Sequence, residues 1–143
     1  MIKFKPLTEA HEWAWFKQRT PVIMCEDSQG IVAFNERGIQ AVCVADSFST
    51  DACNVHFAID NPMVIRRGFL NEIARHLFVV CKRNRIFGLV PDNNEKALKL
   101  DRHIGFTEVA RVPQALSKDI GYVVMVMTKE ECPWLPAELR EAA

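Results

Sequence analysis

Residues 53–70, CNVHFAIDNPMVIRRGFL, predict a strand that leads through a turn into a helix. The strand is expected over residues 53–60, where apolar and polar residues alternate. Odd-numbered residues 55–59 are apolar and point to one face, whereas the even-numbered positions place Asn54, His56 and Asp60 on the other. Pro62 ends the strand. The polar face of this strand is therefore the first candidate for chemistry.

The predicted helix begins beside two arginines and a glycine, Arg66, Arg67 and Gly68. Backbone N–H groups at a helix N-terminus lack intrahelical partners and attract phosphate, and guanidinium groups bind phosphate oxygens through paired donors. The three residues therefore form either a pyrophosphate-binding loop or an ordinary surface turn. These residues alone leave both readings open.

The periodicity of the remaining sequence predicts strands and helices in alternation. Gly38 can take the positive φ of a tight hairpin between two apolar runs. Alternating strands and helices in the middle of the chain imply a parallel crossover, and the ends supply antiparallel pairs. This predicts a mixed α/β sheet covered by helices, with strands over residues 2–5, 31–34, 39–45, 53–60, 86–90, 107–112 and 121–128 and helices over residues 9–18, 67–82 and 94–103.

The composition of the 143 residues is typical of one globular domain, because 49% are hydrophobic and 25% are charged. We expect a single domain over residues 1–143, with residues 129–143 as a C-terminal tail. Eighteen Lys and Arg balance eighteen Asp and Glu. The formal net charge is therefore zero and does not attract nucleic acid or an anionic membrane, so neither is expected as a partner.

The five cysteines are odd in number and show no C-x-x-C spacing, which argues against a disulfide framework and a zinc knuckle. No metal site is expected. The longest apolar runs are far short of the roughly 20 residues that span a bilayer, and the first residues lack the apolar stretch of a secretion signal. These features predict a cytoplasmic protein with reduced thiols.

The pattern Asn94-x-x-Ala97-x-x-Leu100-x-x-x-x-Gly105-Phe106 follows a short predicted strand. Together with the order of elements, it resembles the GNAT (Gcn5-related) N-acetyltransferases. The resemblance implies a mixed, mostly antiparallel twisted sheet of about six to seven strands flanked by helices. It also implies a gap between the strands over residues 53–60 and 86–90 that holds acetyl-CoA. The ending at residues 132–135, CPWL, is similar to small phage-borne members of the superfamily.

The resemblance assigns cofactor contacts to three groups of residues. In this family the strand beside the gap, here Phe57, Ala58 and Ile59, contacts acetyl-CoA. The loop before the next helix binds its pyrophosphate, which implies Arg66, Arg67, Gly68 and Phe69. Ile65 and Leu70 depart from the family's polar and small positions there, and Leu70 would hinder approach of the backbone. Asn94 is expected either to contact the pantetheine arm or to cap its helix.

Candidate catalytic residues follow from the chemistry of amine transfer, which needs a base because only the neutral amine attacks. His56 is the first choice, since imidazole accepts protons near neutral pH, and Asp60 is the second. A histidine held by structural hydrogen bonds is the alternative. Asp101 stands where many family members carry a tyrosine that protonates the leaving thiolate. An ionised carboxylate cannot donate a proton unless burial raises its pKa, so Asp101 is a candidate acid only in that case, and we expect it to be solvated helix surface.

The sequence therefore predicts an acyltransferase that moves an acetyl group from acetyl-CoA to a primary amine by direct attack. The acceptor is expected to be a small molecule or a peptide. The alternative is a catalytically inactive GNAT-like protein that acts in binding or as a virion-associated component. Unpaired edge strands would also permit a homodimer.

Overall fold

The computed structural model describes residues 1–141, so the last two residues of the predicted tail lie outside the described residues. Within that range the strands are β1 (Lys3–Pro6), β2 (Gln29–Asn35), β3 (Gly38–Asp46), β4 (Ala52–Ile59), β5 (Arg85–Pro91), β6 (Thr107–Val112) and β7 (Tyr122–Thr128). The α-helices are α1 (Ala10–Lys17), α2 (Met63–Arg66), α3 (Phe69–Ala74) and α4 (Glu95–Ile104).

The strands form one sheet in the order β1-β2-β3-β4-β5-β7-β6. Every neighbouring pair is antiparallel except β4 and β5, which are parallel. The chain between β4 and β5 supplies the crossover that a parallel pair requires. The predicted mixed, mostly antiparallel sheet of six to seven strands is therefore confirmed.

Two apolar cores lie on opposite faces of this sheet. The first core packs α3 and α4 against residues such as Val55, Ile86 and Met125. The second core is smaller and packs Phe16 of α1 against Val42 and its neighbours on β2, β3 and β4. Because side chains alternate along each strand, α1 covers one face of the sheet while α3 and α4 cover the other.

The helix predicted over residues 67–82 is not continuous. Gly68 adopts φ +103° and separates α2 from α3, and a π-helical segment, Arg75–Val80, continues α3. A left-handed residue ends one helical run because the hydrogen-bond direction changes there. The apolar side chains of this region still form one stripe, and that stripe faces the first core.

The C-terminal tail crosses the helical layer. Cys132 and Leu135 are buried in the first core. The Trp134 indole Nε1–H donates to the Ile104 carbonyl at 2.7 Å, and the Trp134 carbonyl accepts from Asn71 Nδ2 at 3.1 Å. The tail contains a 3-10 turn, Ala137–Leu139. Among residues 1–141, no helix has both the length and the apolar character needed to cross a bilayer.

Candidate active site

The parallel pairing of β4 with β5 stops after three residue pairs, the last being Asn54 with Phe87. Beyond it, β4 continues to pair with β3 as far as Ile59, and β5 continues to pair with β7 as far as Pro91. Residues 55–59 and 88–91 therefore diverge, and we call this region the fork. Within residues 1–141, the backbone groups of β4 that face the fork pair with no strand.

The helix-covered side of the fork is closely packed. Phe57 meets Phe106 edge to face, with ring centroids 6.3 Å apart and an interplanar angle of 79°. The cavity here measures about 10 Å³, which is room for about one water molecule. Its lining residues are Phe57, Leu70, Ile73, Ala74, Ile86, Ile104, Phe106, Met127 and Trp134. The fork is open along the strand edges, whereas its apolar side is filled.

His56 lies two residues beyond the last β4–β5 pair, on the face opposite this cavity. Its Nε2 lies 3.0 Å from Oδ2 of the buried Asp46 and 3.3 Å from Asn54 Nδ2. Ser47 donates its hydroxyl to the other Asp46 oxygen at 3.1 Å. The Asp46 carboxylate therefore holds the ring through Nε2. Nδ1 makes no hydrogen bond within residues 1–141, so it is the nitrogen left to accept a proton.

Asp60, the second candidate base, follows the end of β4 and is already paired. Arg19 binds both of its oxygens, with Nε–Oδ1 and Nη2–Oδ2 distances of 2.9 Å. The Arg19 guanidinium also stacks on the Trp15 ring, 3.6 Å from its centroid. A bidentate pair of this kind favours a structural role that ties β4 to α1. The structure does not bring Asp60 to the His56 cluster.

Asp101 is buried, so the expectation of solvated helix surface is wrong. Its exposed fraction is 8%, and it lies between Leu98 and Ile104 on the stripe of α4 that faces the sheet. Its carboxyl group has no hydrogen-bond partner within residues 1–141. Burial raises the pKa of Asp101 to about 7. Ile104, three residues further along the same helix, lines the cavity at the fork.

The predicted phosphate-binding loop lies at the start of α3. Arg66 and Arg67 are exposed, and the Gly68 carbonyl accepts the first hydrogen bond of the helix from Glu72 N–H at 3.0 Å. Leu70 is only 4% exposed and faces the first core. The expectation that Leu70 hinders approach of the backbone is therefore wrong. Phe69 is fully buried, so it offers a ligand only its backbone N–H.

Asn94 is the N-cap of α4. Its side-chain oxygen accepts a hydrogen bond from Ala97 N–H at 3.1 Å, as expected for an N-cap asparagine. Of the two roles left open by the sequence, the capping role is the one the contacts support.

Sequence reasoning missed the residues that hold the candidate side chains. Asp46 and Asn54 contact His56, and Arg19 pairs with Asp60. Asp46 directly follows the predicted hairpin, and the antiparallel register of β3 and β4 pairs it with Asn54. The available signal in the sequence was an acidic residue directly after an apolar strand.

No protein-family model matches the sequence, and no curated protein matches it. Solved structures do match. A variant of the spermidine N-acetyltransferase SpeG from Vibrio cholerae superposes with a TM-score of 0.75 at 13% identity, covering 96% of this chain and 98% of that one. The chain has the GNAT acyltransferase fold.

Two further structures support the same fold. The Vibrio cholerae spermidine N-acetyltransferase in complex with CoA and spermine gives a TM-score of 0.72 at 11% identity, covering 91% of this chain and 96% of that one. The ribosomal-protein-S5-alanine acetyltransferase from Vibrio fischeri gives 0.61 at 16% identity, covering 76% and 64%. At such low identities the likeness establishes the fold, as the resemblance predicted.

Proposed function

We propose that this protein transfers an acetyl group from acetyl-CoA to a primary amine by direct attack of the amine. The observation that carries the proposal is the fork, with the His56–Asp46 pair two residues beyond its base. A divergence of two parallel strands exposes backbone donors and acceptors that an extended acyl-CoA arm can use. The fold of the CoA-bound neighbour supports the same donor.

Acetyl-CoA would lie with its pyrophosphate at the start of α3. Arg66 and Arg67 supply two exposed guanidinium groups there, and the first-turn N–H groups of the helix supply neutral donors. The pantetheine arm would run along the open edge of β4, against the backbone of Phe57, Ala58 and Ile59. The cavity beside Phe57 measures about 10 Å³ and is too small for the arm, so the arm would follow the strand edge.

The reaction needs one proton removed and one supplied. His56 Nδ1 would take the proton that the attacking amine loses as its nitrogen bonds to the thioester carbonyl carbon. The carbon–sulfur bond then breaks, and the departing thiolate accepts a proton. Asp101 is a suitable donor because burial raises its pKa to about 7, which keeps a large share of the carboxyl protonated near neutral pH.

Titration with acetyl-CoA tests the proposal, since a ligand that binds only the folded state raises the melting temperature. Replacing Arg66 and Arg67 with alanine should weaken binding at least tenfold. Arg37→Ala, at the exposed hairpin turn, is the matched control and should bind normally. His56→Ala should retain binding and slow turnover by about 10²-fold or more. Normal turnover in His56→Ala would remove the base assignment and leave the donor site intact.

A second candidate function, a GNAT-like binding protein without transferase activity, is favoured by the close packing of Phe57 on Phe106. The same titration separates the two functions. No thermal shift at millimolar acetyl-CoA would contradict the transferase and favour the binding protein. The cytoplasm remains the proposed compartment, and a homodimer remains a proposal.

A further inference from the structure

The half of the sheet formed by β5, β7 and β6 is covered by helices on one face, within the described residues. Along β7, Val123, Met125 and Met127 are buried in the first core, whereas the residues between them are half-exposed. Their neighbours on β5 at the same face are also accessible, and Leu89 is 45% exposed. We call this surface the apolar face, and its members are Phe87, Leu89, Tyr122, Val124 and Val126. None of these side chains belongs to either core within residues 1–141.

The apolar face is continuous with the candidate active site. Phe87 pairs with Asn54 across the last rung of β4 and β5, so the two side chains share one face of the sheet. His56 lies on that face two residues further along β4. The apolar face therefore begins beside the His56 ring, where the amine would react.

The loop over residues 18–28 borders this face of β4. The Arg19–Asp60 pair fixes its first part to the end of β4. Asp27 fixes its last part to the connection between β3 and β4, because its Oδ2 accepts from Phe48 N–H at 2.8 Å. Between these anchors Ile23 is 82% exposed and Met24 is 48% exposed. The loop thus adds two exposed apolar side chains between its anchors, and monomeric proteins seldom gather such side chains at their surface.

The acidic groups around His56 already have hydrogen-bond or ion-pair partners. Asp46 is paired with His56, Asp60 with Arg19, and Asp27 with a backbone N–H. Glu26, on the exposed loop, is the exception within the segment 18–28. A polyamine carries several charges and needs several free carboxylates to bind. This site offers apolar surface instead.

We propose that the acceptor is a primary amine with an uncharged apolar body, which lies on the apolar face while the amine reaches His56. The inference rests on the proposed function and narrows it to one acceptor class. The amine nitrogen bonds to the acetyl carbonyl carbon, the thioester carbon–sulfur bond breaks, and the amine's proton passes to His56. Spermine, the amine bound by the Vibrio cholerae neighbour, is of a different class.

A homologous series of linear alkylamines, from butylamine to octylamine, tests the proposal against spermidine. Calorimetry measures binding, and release of free CoA thiol measures turnover. Each added methylene that contacts the apolar face should raise affinity and kcat/KM about two- to fourfold. Octylamine should exceed spermidine at least tenfold in kcat/KM.

Leu89→Asp should remove the dependence on chain length, because a charge would then stand in the apolar face. Val80→Asp is the matched control and should retain it, since Val80 is also exposed, at 56%, but ends the π-helical segment on the opposite side of the sheet. Size-exclusion chromatography of both variants and the parent protein reports association in the same samples.

The outcomes distinguish this inference from the proposed function. Equal or better turnover of spermidine would overturn the apolar acceptor and leave the transferase in place. Length-dependent alkylamine binding without any thiol release would contradict the transferase and support the apolar amine site. Absence of alkylamine binding would overturn the inference. A parent protein that forms a dimer and binds no alkylamine, and whose dimer Leu89→Asp dissociates, would also overturn the inference. The apolar face would then be an interface between copies.

Discussion

Asp101 is the residue whose environment departs most from its ordinary chemistry. Its carboxyl group is buried without a hydrogen-bond partner in residues 1–141, and burial raises its pKa from 3.8 to about 7. The folded state therefore binds a proton between these pH values that the unfolded chain has released. By linkage, the contribution of Asp101 to the free energy of unfolding falls as pH rises from about 4 to 7 and is then level.

Asp101→Asn should remove this slope. Because three pKa units correspond to roughly 4 kcal/mol, the stability difference between variant and parent should change by up to that amount from pH 4 to pH 8, in favour of the variant. Urea denaturation at several pH values measures it. Parallel stability profiles for the two proteins would contradict the buried, unpaired carboxyl group. The variant should also turn over more slowly, since an amide cannot protonate a thiolate.

Asp46 is the residue that fixes His56. Asp46→Ala leaves His56 Nε2 and the Ser47 hydroxyl without their acceptor, and we expect a loss of about 1–3 kcal/mol in stability. Turnover should fall at least tenfold while acetyl-CoA binding is unchanged. Asp51→Ala is the control, because its ion pair with Arg85 is exposed and contributes no more than about 1 kcal/mol. Equal losses of stability and turnover in both variants would argue against a role of Asp46 in holding His56.

At the scale of elements, the sequence predicted every strand to within a few residues, because alternation and turn residues are local signals. It also predicted the gap between β4 and β5, through the resemblance of its motif. The break at Gly68 and the π-helical segment were missed, since an apolar stripe is compatible with either one helix or two. The partners of His56 and Asp60 depend on strand register and on α1, which residue spacing does not encode.

The link between α2 and α3 depends on the left-handed conformation of Gly68. In Gly68→Ala the new Cβ would meet the Phe4 ring at 3.5 Å, an ordinary contact, so the cost is the backbone conformation, about 1–2 kcal/mol. Gly38→Ala is the matched control, because Gly38 has φ +111° and no atom within 4 Å of the added Cβ. Both variants should lose similar stability by thermal denaturation. Only Gly68→Ala should weaken acetyl-CoA binding, and equal binding in both would exclude Gly68 from the phosphate-binding loop.

At the scale of the whole molecule, the fork divides the sheet into two halves that pair directly through only three residues of each strand. The half containing β1 to β4 and the half containing β5 to β7 are also held by the shared helical layer of the first core. The tail joins that layer, since Trp134 is bonded to Ile104 of α4 and to Asn71 of α3. We therefore expect the tail to influence the width of the fork through these two helices.

Removing either bond of Trp134 tests this coupling. Trp134→Phe retains an aromatic ring but loses the indole N–H to Ile104, and Asn71→Ala loses the amide donor to the Trp134 carbonyl. Each should cost about 1 kcal/mol in urea denaturation, and the double variant should cost less than the sum if the tail acts as one unit. Because α3 and α4 flank the fork, acetyl-CoA affinity should change with either substitution. Additive stability losses with unchanged affinity would show that the tail only stabilises the fold, and that the fork is held open by the sheet itself.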